Sequence, residues 1–349
     1  MKKAFLILLA TALALSMVLV GCPDPIDDND VDPVTPEEFY QGRQLELYTG
    51  PAGGSLTVGS ELLMQHFAEA TGATVVPLYY DALGGIESFN KGYEEAPRDG
   101  SAFMGFGMET VFTNALLEEP GVRYEIDELI WLGSILGTPM ALWTNPEEYA
   151  DVAALQAGED LLQAGASRLG FMAFWGTAAG YWLGLDFQTV IGVGSPAMCK
   201  TSILAGDTHF LNVPVHHPGS PPELMPVVLI SDERHPYFYP DVPAITEVVD
   251  PWPQGEEDWL QMAKVAARYT AAGVAFPPDV PQDRVEYVRG VLNDIAESDA
   301  FIADWTAMMG YWDGWHTGED VEASYILYSD NAEDFKAIYA LVDTYYITL

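Results

Sequence analysis

Positive charge is what this 349-residue sequence has least of: 14 Lys and Arg stand against 52 Asp and Glu, a formal net charge of −38. So acidic a surface repels nucleic acid and anionic lipid headgroups and stays hydrated at high salt, which excludes nucleic acid as a partner. Any anionic ligand has to be held by local donors against an unfavourable global field. Cysteine is nearly absent as well, with only Cys22 and Cys199; if Cys22 is used elsewhere, Cys199 has no internal disulfide partner and is simplest as a small buried apolar residue. No G-x-x-x-x-G-K-[ST] loop and no G-x-G-x-x-G turn is present, so a nucleotide cofactor has no motif to rest on. No Glu-x-x-His or EF-hand spacing occurs either, and no metal is expected. His216, His217 and His235 read as a solvated proline-rich loop, and the acids at 28–30 and 94–95 as solvated surface. No segment repeats at a short fixed period, which excludes a solenoid or propeller.

One long apolar run is present, at the start. MKKAFLILLATALALSMVLVGC has two lysines, an apolar stretch with small residues, and then Leu19-Val20-Gly21-Cys22, the order of a secretory signal ending in a bacterial lipobox. That reading makes 1–21 a cleaved lipoprotein signal peptide and Cys22 the lipidated mature N-terminus, in an extracytoplasmic, membrane-anchored protein. The alternatives are a retained membrane span, for which the run is at the short end of the ~20 residues needed, or an ordinary signal peptide. The segment 22–43 that follows is acidic and proline-rich and lacks apolar periodicity, so it reads as a disordered tether.

From about residue 45 onward, strand-like and helix-like segments alternate. Strands are expected at 45–48, 74–79 and 102–106, with helices at 61–71 and 86–93 between them, a β-α-β-α-β order that implies a parallel sheet covered by helices. A second set follows: strands at 129–136, 140–144 and 168–172, helices at 153–164, 178–185 and 196–205, and strands at 189–193, 209–213 and 226–230. The last third gives a strand at 271–276 and helices at 282–298, 299–309 and 331–345. The aromatic-rich stretch Trp305–Trp315 is expected to be mostly core. The fold class is therefore α/β, in two lobes, each a mostly parallel sheet flanked by helices: 44–138 plus 265–349 form lobe 1 and 139–264 lobe 2. Ligands of such folds sit where loops leave the carboxyl ends of the strands.

Three strand-to-helix turns combine glycine with small or hydroxyl residues: Pro51-Ala52-Gly53-Gly54-Ser55, Ala82-Leu83-Gly84-Gly85 and Trp175-Gly176-Thr177. Glycine lets backbone approach a ligand, and the N–H groups of the following helix point a positive dipole end at it. A carboxylate is satisfied by such donors without a cation.

The order of these turns along the chain resembles the extracytoplasmic solute-binding proteins of tripartite tricarboxylate transporters, the TctC or Bug family. The matching segments are Pro51-Ala52-Gly53-Gly54-Ser55-Leu56-Thr57, Leu83-Gly84-Gly85 and Ala96-Pro97-Arg98-Asp99-Gly100, then 170–177, Ala205-Gly206-Asp207-Thr208-His209-Phe210, and 228–234 running on to Pro240-Asp241-Val242-Pro243-Ala244. The segment Ala275-Phe276-Pro277-Pro278-Asp279-Val280-Pro281 agrees near the end. The resemblance implies a type II periplasmic-binding-protein-like "Venus flytrap" that closes on a small organic mono- or dicarboxylate and delivers it to membrane permease subunits, as a monomer without cofactor and without catalysis. It implies a ligand site of Ala52, Gly53, Gly54, Ser55, Thr57, Leu83, Gly84 and Gly85 on one lobe, with Trp175, Gly176 and Thr177 on the opposite wall. Thr57 stands where the family carries Asp, and Leu83 where it carries Gly, so the ligand's identity does not carry over. A ligand-binding surface lipoprotein that feeds a sensor, or an extracellular α/β enzyme, are the competing readings.

Overall fold

The computed structural model describes residues 34–52, 55–80, 86–216, 223–269 and 271–348. The chain divides into two units, Met1–Phe39 and Tyr40–Leu349. In the first, the described residues 34–39 open a short helix, Pro36–Tyr40. Its start is a reciprocal cap: Thr35 Oγ1 accepts from the Glu38 N–H at 3.3 Å, and Glu38 Oε2 accepts from the Thr35 N–H at 3.1 Å. The expected signal peptide, the lipidation site Cys22 and most of the tether lie outside the described residues.

The second unit contains, in chain order, β1 (Gln44–Thr49), α1 (Ser55–Thr71), β2 (Thr74–Tyr79), α2 (Ile86–Glu95), β3 (Ala102–Phe106), α3 (Met108–Leu116) and β4 (Ile130–Ile135). It continues through β5 (Met140–Thr144), β6 (Leu161–Gly165), α4 (Phe171–Trp182), β7 (Phe187–Ile191), α5 (Pro196–Ala205), β8 (Phe210–Pro214), β9 (Met225–Ile230) and α6 (Glu257–Arg268). The last elements are β10 (Gly273–Phe276), α7 (Gln282–Glu297), α8 (Asp299–Met309), β11 (Trp315–Thr317), α9 (Gly318–Asp330), α10 (Ala332–Asp343) and β12 (Tyr346–Thr348).

Two six-stranded sheets result, ordered β11-β4-β10-β3-β1-β2 and β12-β7-β6-β8-β5-β9. In the first, β1 pairs in parallel with β2 and β3, while β10 runs antiparallel to β3 and β4. In the second, β6 and β7 are parallel to each other and β7 to β12, while β5 is antiparallel to β8 and β9. The expected α/β architecture of two helix-flanked sheets is thus what the chain adopts. Residues 265–349 do not all share one sheet: β10 and β11 join the first, and β12 pairs with β7 in the second.

The chain leaves the first sheet after β4, returns at β10, and the two crossings lie side by side. The Ile135 N–H donates to Ala272 O and the Gly137 N–H to Arg268 O, both at 2.9 Å, and the Leu136 N–H donates to Gly314 O at 3.0 Å. Apolar periodicity explains the elements around them. On α7, Val285, Val288, Leu292, Ile295 and Ala296 are buried at helical spacing, whereas β5 is buried at every position and reads as a continuous apolar run.

One stretch departs from the sequence reading. The run FMAFWGTAAGYW, expected to be the end of a strand, a turn and a helix start, is a single helix, α4, buried on nearly every face. The expected helix 153–164 shrinks to Val152–Gln156, and β6 takes 161–165 instead. A fully buried helix has no polar face to reveal its period, so its glycine looks like a turn. Gly176 in fact lets α4 approach the sheet: a Cβ there would lie 2.2 Å from Gln163 Nε2 and 2.7 Å from Asn212 Cβ.

The histidines are also not solvated as expected. His235 is buried, and its Nδ1 accepts the N–H groups of Tyr237 (3.2 Å) and Phe238 (3.0 Å); burial lowers its pKa. His216 stacks on Phe238 with ring centres 4.5 Å apart, and its Nε2 lies 3.0 Å from Met309 O. His217 lies outside the described residues. Of the aromatic stretch, Trp305 and Tyr311 are core, as expected, while Trp315 is half-buried in β11.

Candidate functional site

The helices that follow β1, β2, β3, β6 and β7, with the segments 119–122 and 166–170, meet at a cavity of about 640 Å³. Its walls come from both sheets' connections: Leu56, Ile86, Thr110, Asn114 and 119–122 on one side, and 166–172, Ile191 and Pro196 on the other. Among the described residues the lining is mostly apolar, and its charged side chains are Glu119 and Arg168.

Five helices present their first turns to this cavity. Leu56 is the second residue of α1, Ile86 the first of α2, Thr110 the third of α3, Phe171 the first of α4 and Pro196 the first of α5. A helix start carries roughly half a positive charge, concentrated on N–H groups with no partner inside the helix. At α3 and α4 the N-cap is glycine, Gly107 and Gly170, and no side chain caps the first turn. At α5, by contrast, Ser195 caps, accepting from the Met198 N–H at 3.4 Å. Helix starts are therefore the positive groups that gather at this cavity, in a chain whose side chains are overwhelmingly acidic.

Polar side chains from the sheet below hold α4 in place. Gln163 Nε2 donates to Met172 O at 2.8 Å, and Asn212 Nδ2 donates to Phe171 O at 2.9 Å. These are carbonyls of the first turn, so β6 and β8 fix the end of the helix that lines the cavity. Thr177 completes a buried network, its Oγ1 lying 2.7 Å from Ala173 O, 2.7 Å from Thr189 Oγ1 and 3.1 Å from Gln163 Oε1.

Of the expected site residues, Ala52 is exposed at the end of the β1 loop, Thr57 is buried in the first turn of α1, and Ser55 is the first residue of that helix. Gly53, Gly54, Leu83, Gly84 and Gly85 lie outside the described residues. The helices that follow those two glycine turns, α1 and α2, both reach the cavity through Leu56 and Ile86. Trp175, Gly176 and Thr177 are not a turn but the buried middle of α4, where they pack on the core and sheet; the cavity is met instead by 166–172, just before them.

Sequence reasoning missed two residues. Arg168 sits in the β6–α4 loop, its guanidinium paired with Asp343 and 5.5 Å over the Tyr346 ring, while Tyr346 Oη donates to Arg168 O at 2.8 Å. The strand-like pattern of 168–172 hides it, because that pattern belongs to a loop and a helix start. The other is Glu109, in the first turn of α3, which is 1% exposed. Thr113 Oγ1 donates to its Oε1 at 3.0 Å and Thr110 Oγ1 to its Oε2 at 3.4 Å. Burial pushes its pKa up to about 7, against the opposing pull of Thr113, Thr110 and the nearby Trp175. The Trp175 indole N–H has no hydrogen-bond partner of normal geometry among the described residues.

A second cavity, of about 540 Å³, carries more cations, Arg234, Lys264 and Arg268. Each is already paired with an acid, Glu247, Asp232 and Asp313 respectively, and so has less to offer an anion. Among the described residues no three His, Cys, Asp or Glu side chains gather as a metal site, and no helix is long and apolar enough to cross a membrane.

No family model matches the chain, and no curated protein matches it. Solved structures do. The periplasmic binding protein BugD is similar with a TM-score of 0.63 at 16% identity, over 88% of this chain and 100% of that one. R. palustris Rpa4515 with adipate gives 0.63 at 18%, over 84% and 97%. A TctC solute binding protein from Polaromonas gives 0.60 at 16%, over 86% and 98%. At these identities the likeness is one of fold, and the fold is that of the two-lobed TctC and Bug-type periplasmic binding proteins.

Proposed function

We propose that this chain, built on the TctC and Bug-type fold, is an extracytoplasmic solute-binding protein that captures a small organic mono- or dicarboxylate in the 640 Å³ cavity and releases it unchanged. The observation that carries this reading is the meeting of five helix starts at one cavity, with a single arginine among its described lining residues. Backbone N–H groups are strong donors to a carboxylate and need no cation. The walls come from the connections of both sheets, so a ligand touching both sides favours a closed arrangement over an open one. Two of the helices, α1 and α2, follow the glycine turns at 53–54 and 84–85, which we assign to the same cradle. The structural neighbour solved with adipate supports the ligand class.

In the same reading, Cys22 carries the lipid anchor, the acidic segment after it is a tether, and the loaded protein docks on the permease subunits of a tripartite tricarboxylate transporter. Thermal-shift screening of the purified protein against mono- and dicarboxylates, with sugars and metal cations as contrast, tests the ligand class. At a hundredfold excess over Kd a ligand adds about 2.7 kcal/mol of stability, which is readily seen as a higher Tm. A higher Tm with at least one small carboxylate is expected; a response only to sugars or cations would overturn the reading.

A further inference from the structure

Glu109 is a buried acid to which the proposed site gives no role. Its carboxyl is fully buried beside the cavity, and neither a cation nor a second acid acts on it. The groups that act on it come from three helices. On its own helix these are the Thr113 and Thr110 hydroxyls, and from α4 it is the Trp175 indole. From α9 it is Tyr328, whose Oη is already committed, donating to Met262 O at 2.8 Å.

Thr110 is the link to the ligand. It is the next residue in the chain, lines the cavity, and has one hydroxyl proton to give. At 3.4 Å that bond to Oε2 is long, so the hydroxyl is within reach of a competing acceptor in the cavity.

We propose that Glu109 is a positioning residue that couples proton uptake to carboxylate capture: protonated, it frees the Thr110 hydroxyl to donate to the ligand, and ionised, it takes that hydrogen bond for itself. The proton comes from solvent and stays on Glu109. Two effects act together. An ionised Glu109 needs both hydroxyl donors, since a buried carboxylate without partners is costly. A protonated Glu109 also removes a negative charge from behind the wall that the ligand's own negative charge approaches, where the low dielectric makes repulsion strong.

This inference rests on the carboxylate-binding reading and is tested on the same protein. The probes are malonate, succinate, glutarate and adipate, with the tightest binder titrated calorimetrically between about pH 6.5 and 8.5 in buffers of differing ionisation enthalpy. For the wild type, Kd is expected to weaken about sixfold across that range, which corresponds to Glu109 holding its proton about tenfold more tightly in the complex than in the free protein, with proton uptake on binding. Glu109→Gln should hold the low-pH affinity at the upper end, without proton uptake. Thr110→Val, which keeps the acid but removes the shared hydroxyl, should bind more weakly and with a flatter pH profile. Wild-type binding that is flat with pH, or a Glu109→Gln variant that keeps the full slope, would overturn the inference and leave the ligand class standing. If no carboxylate binds the wild type at any pH, the functional reading itself falls, and this inference with it.

Discussion

Burying a carboxyl without a cation is costly, and at Glu109 the cost falls on one side of neutrality. Its pKa in the folded protein, about 7, lies above the ordinary value of 4.5. The native state therefore binds the proton more tightly than the unfolded chain, so stability is fully present below about pH 4.5 and is lost as pH rises through about 7. Since a tenfold difference in proton affinity is worth 1.36 kcal/mol, the loss is about 3 kcal/mol at alkaline pH. Glu109→Gln, which mimics the protonated acid, should thus be stabilising near pH 9 and close to neutral near pH 5 in denaturant unfolding. Cys199 offers a second check at this scale. It is fully buried, its thiol is pushed up to about 11 by burial, and its Sγ lies 3.6 Å from Gly194 O. The native protein should therefore react with thiol reagents far more slowly than the unfolded chain. Cys199 was legible in the sequence as a lone apolar residue. Glu109 was not, since among 52 acids nothing in the sequence marks the buried one.

At the scale of elements, α4 governs the site although it contributes only its first turn. Its position depends on Gly176 fitting against Gln163 and Asn212, the residues that hold the carbonyls of Phe171 and Met172. Gly176→Val should push the helix off the sheet, destabilise the protein by about 1–3 kcal/mol through overpacking, and weaken ligand binding even though residue 176 does not line the cavity. Unfolding curves and a titration with the tightest carboxylate check both effects. Elements with clear patterns were legible: β5 and α5 match their expected ranges, 140–144 and 196–205, to the residue. Those lost to the sequence reading have physical reasons. Helix α4 is apolar all round, so its period is hidden. Strand β12 is three residues long and takes its identity from pairing with β7 far back in the chain. The glycine turns expected at 53–54 and 84–85 lie outside the described residues, while α1 and α2 begin directly after them.

For the whole molecule, the balance of charge decides how a ligand arrives. The net charge of −38 sets a repulsive long-range field for any anion, while in the proposed reading the attraction comes from short-range helix starts at one cavity. Salt screens the former over a Debye length of about 8–10 Å and affects contact donors far less. The association rate of a dicarboxylate should therefore rise as ionic strength goes from about 10 to 150 mM, the reverse of steered binding; stopped-flow measurement of intrinsic tryptophan fluorescence checks this. The two-sheet architecture was legible because β-α-β order and strand-end loops follow from pattern, whereas the site's electrostatics depend on where five helices begin. The most direct test of the account is an amide NMR titration with adipate and with its uncharged diamide. The backbone N–H resonances of Leu56, Thr110, Phe171 and Met172 are expected to move together with adipate and not with the diamide. Changes that instead cluster at Arg234, Lys264 and Arg268, or equal responses to both compounds, would contradict it.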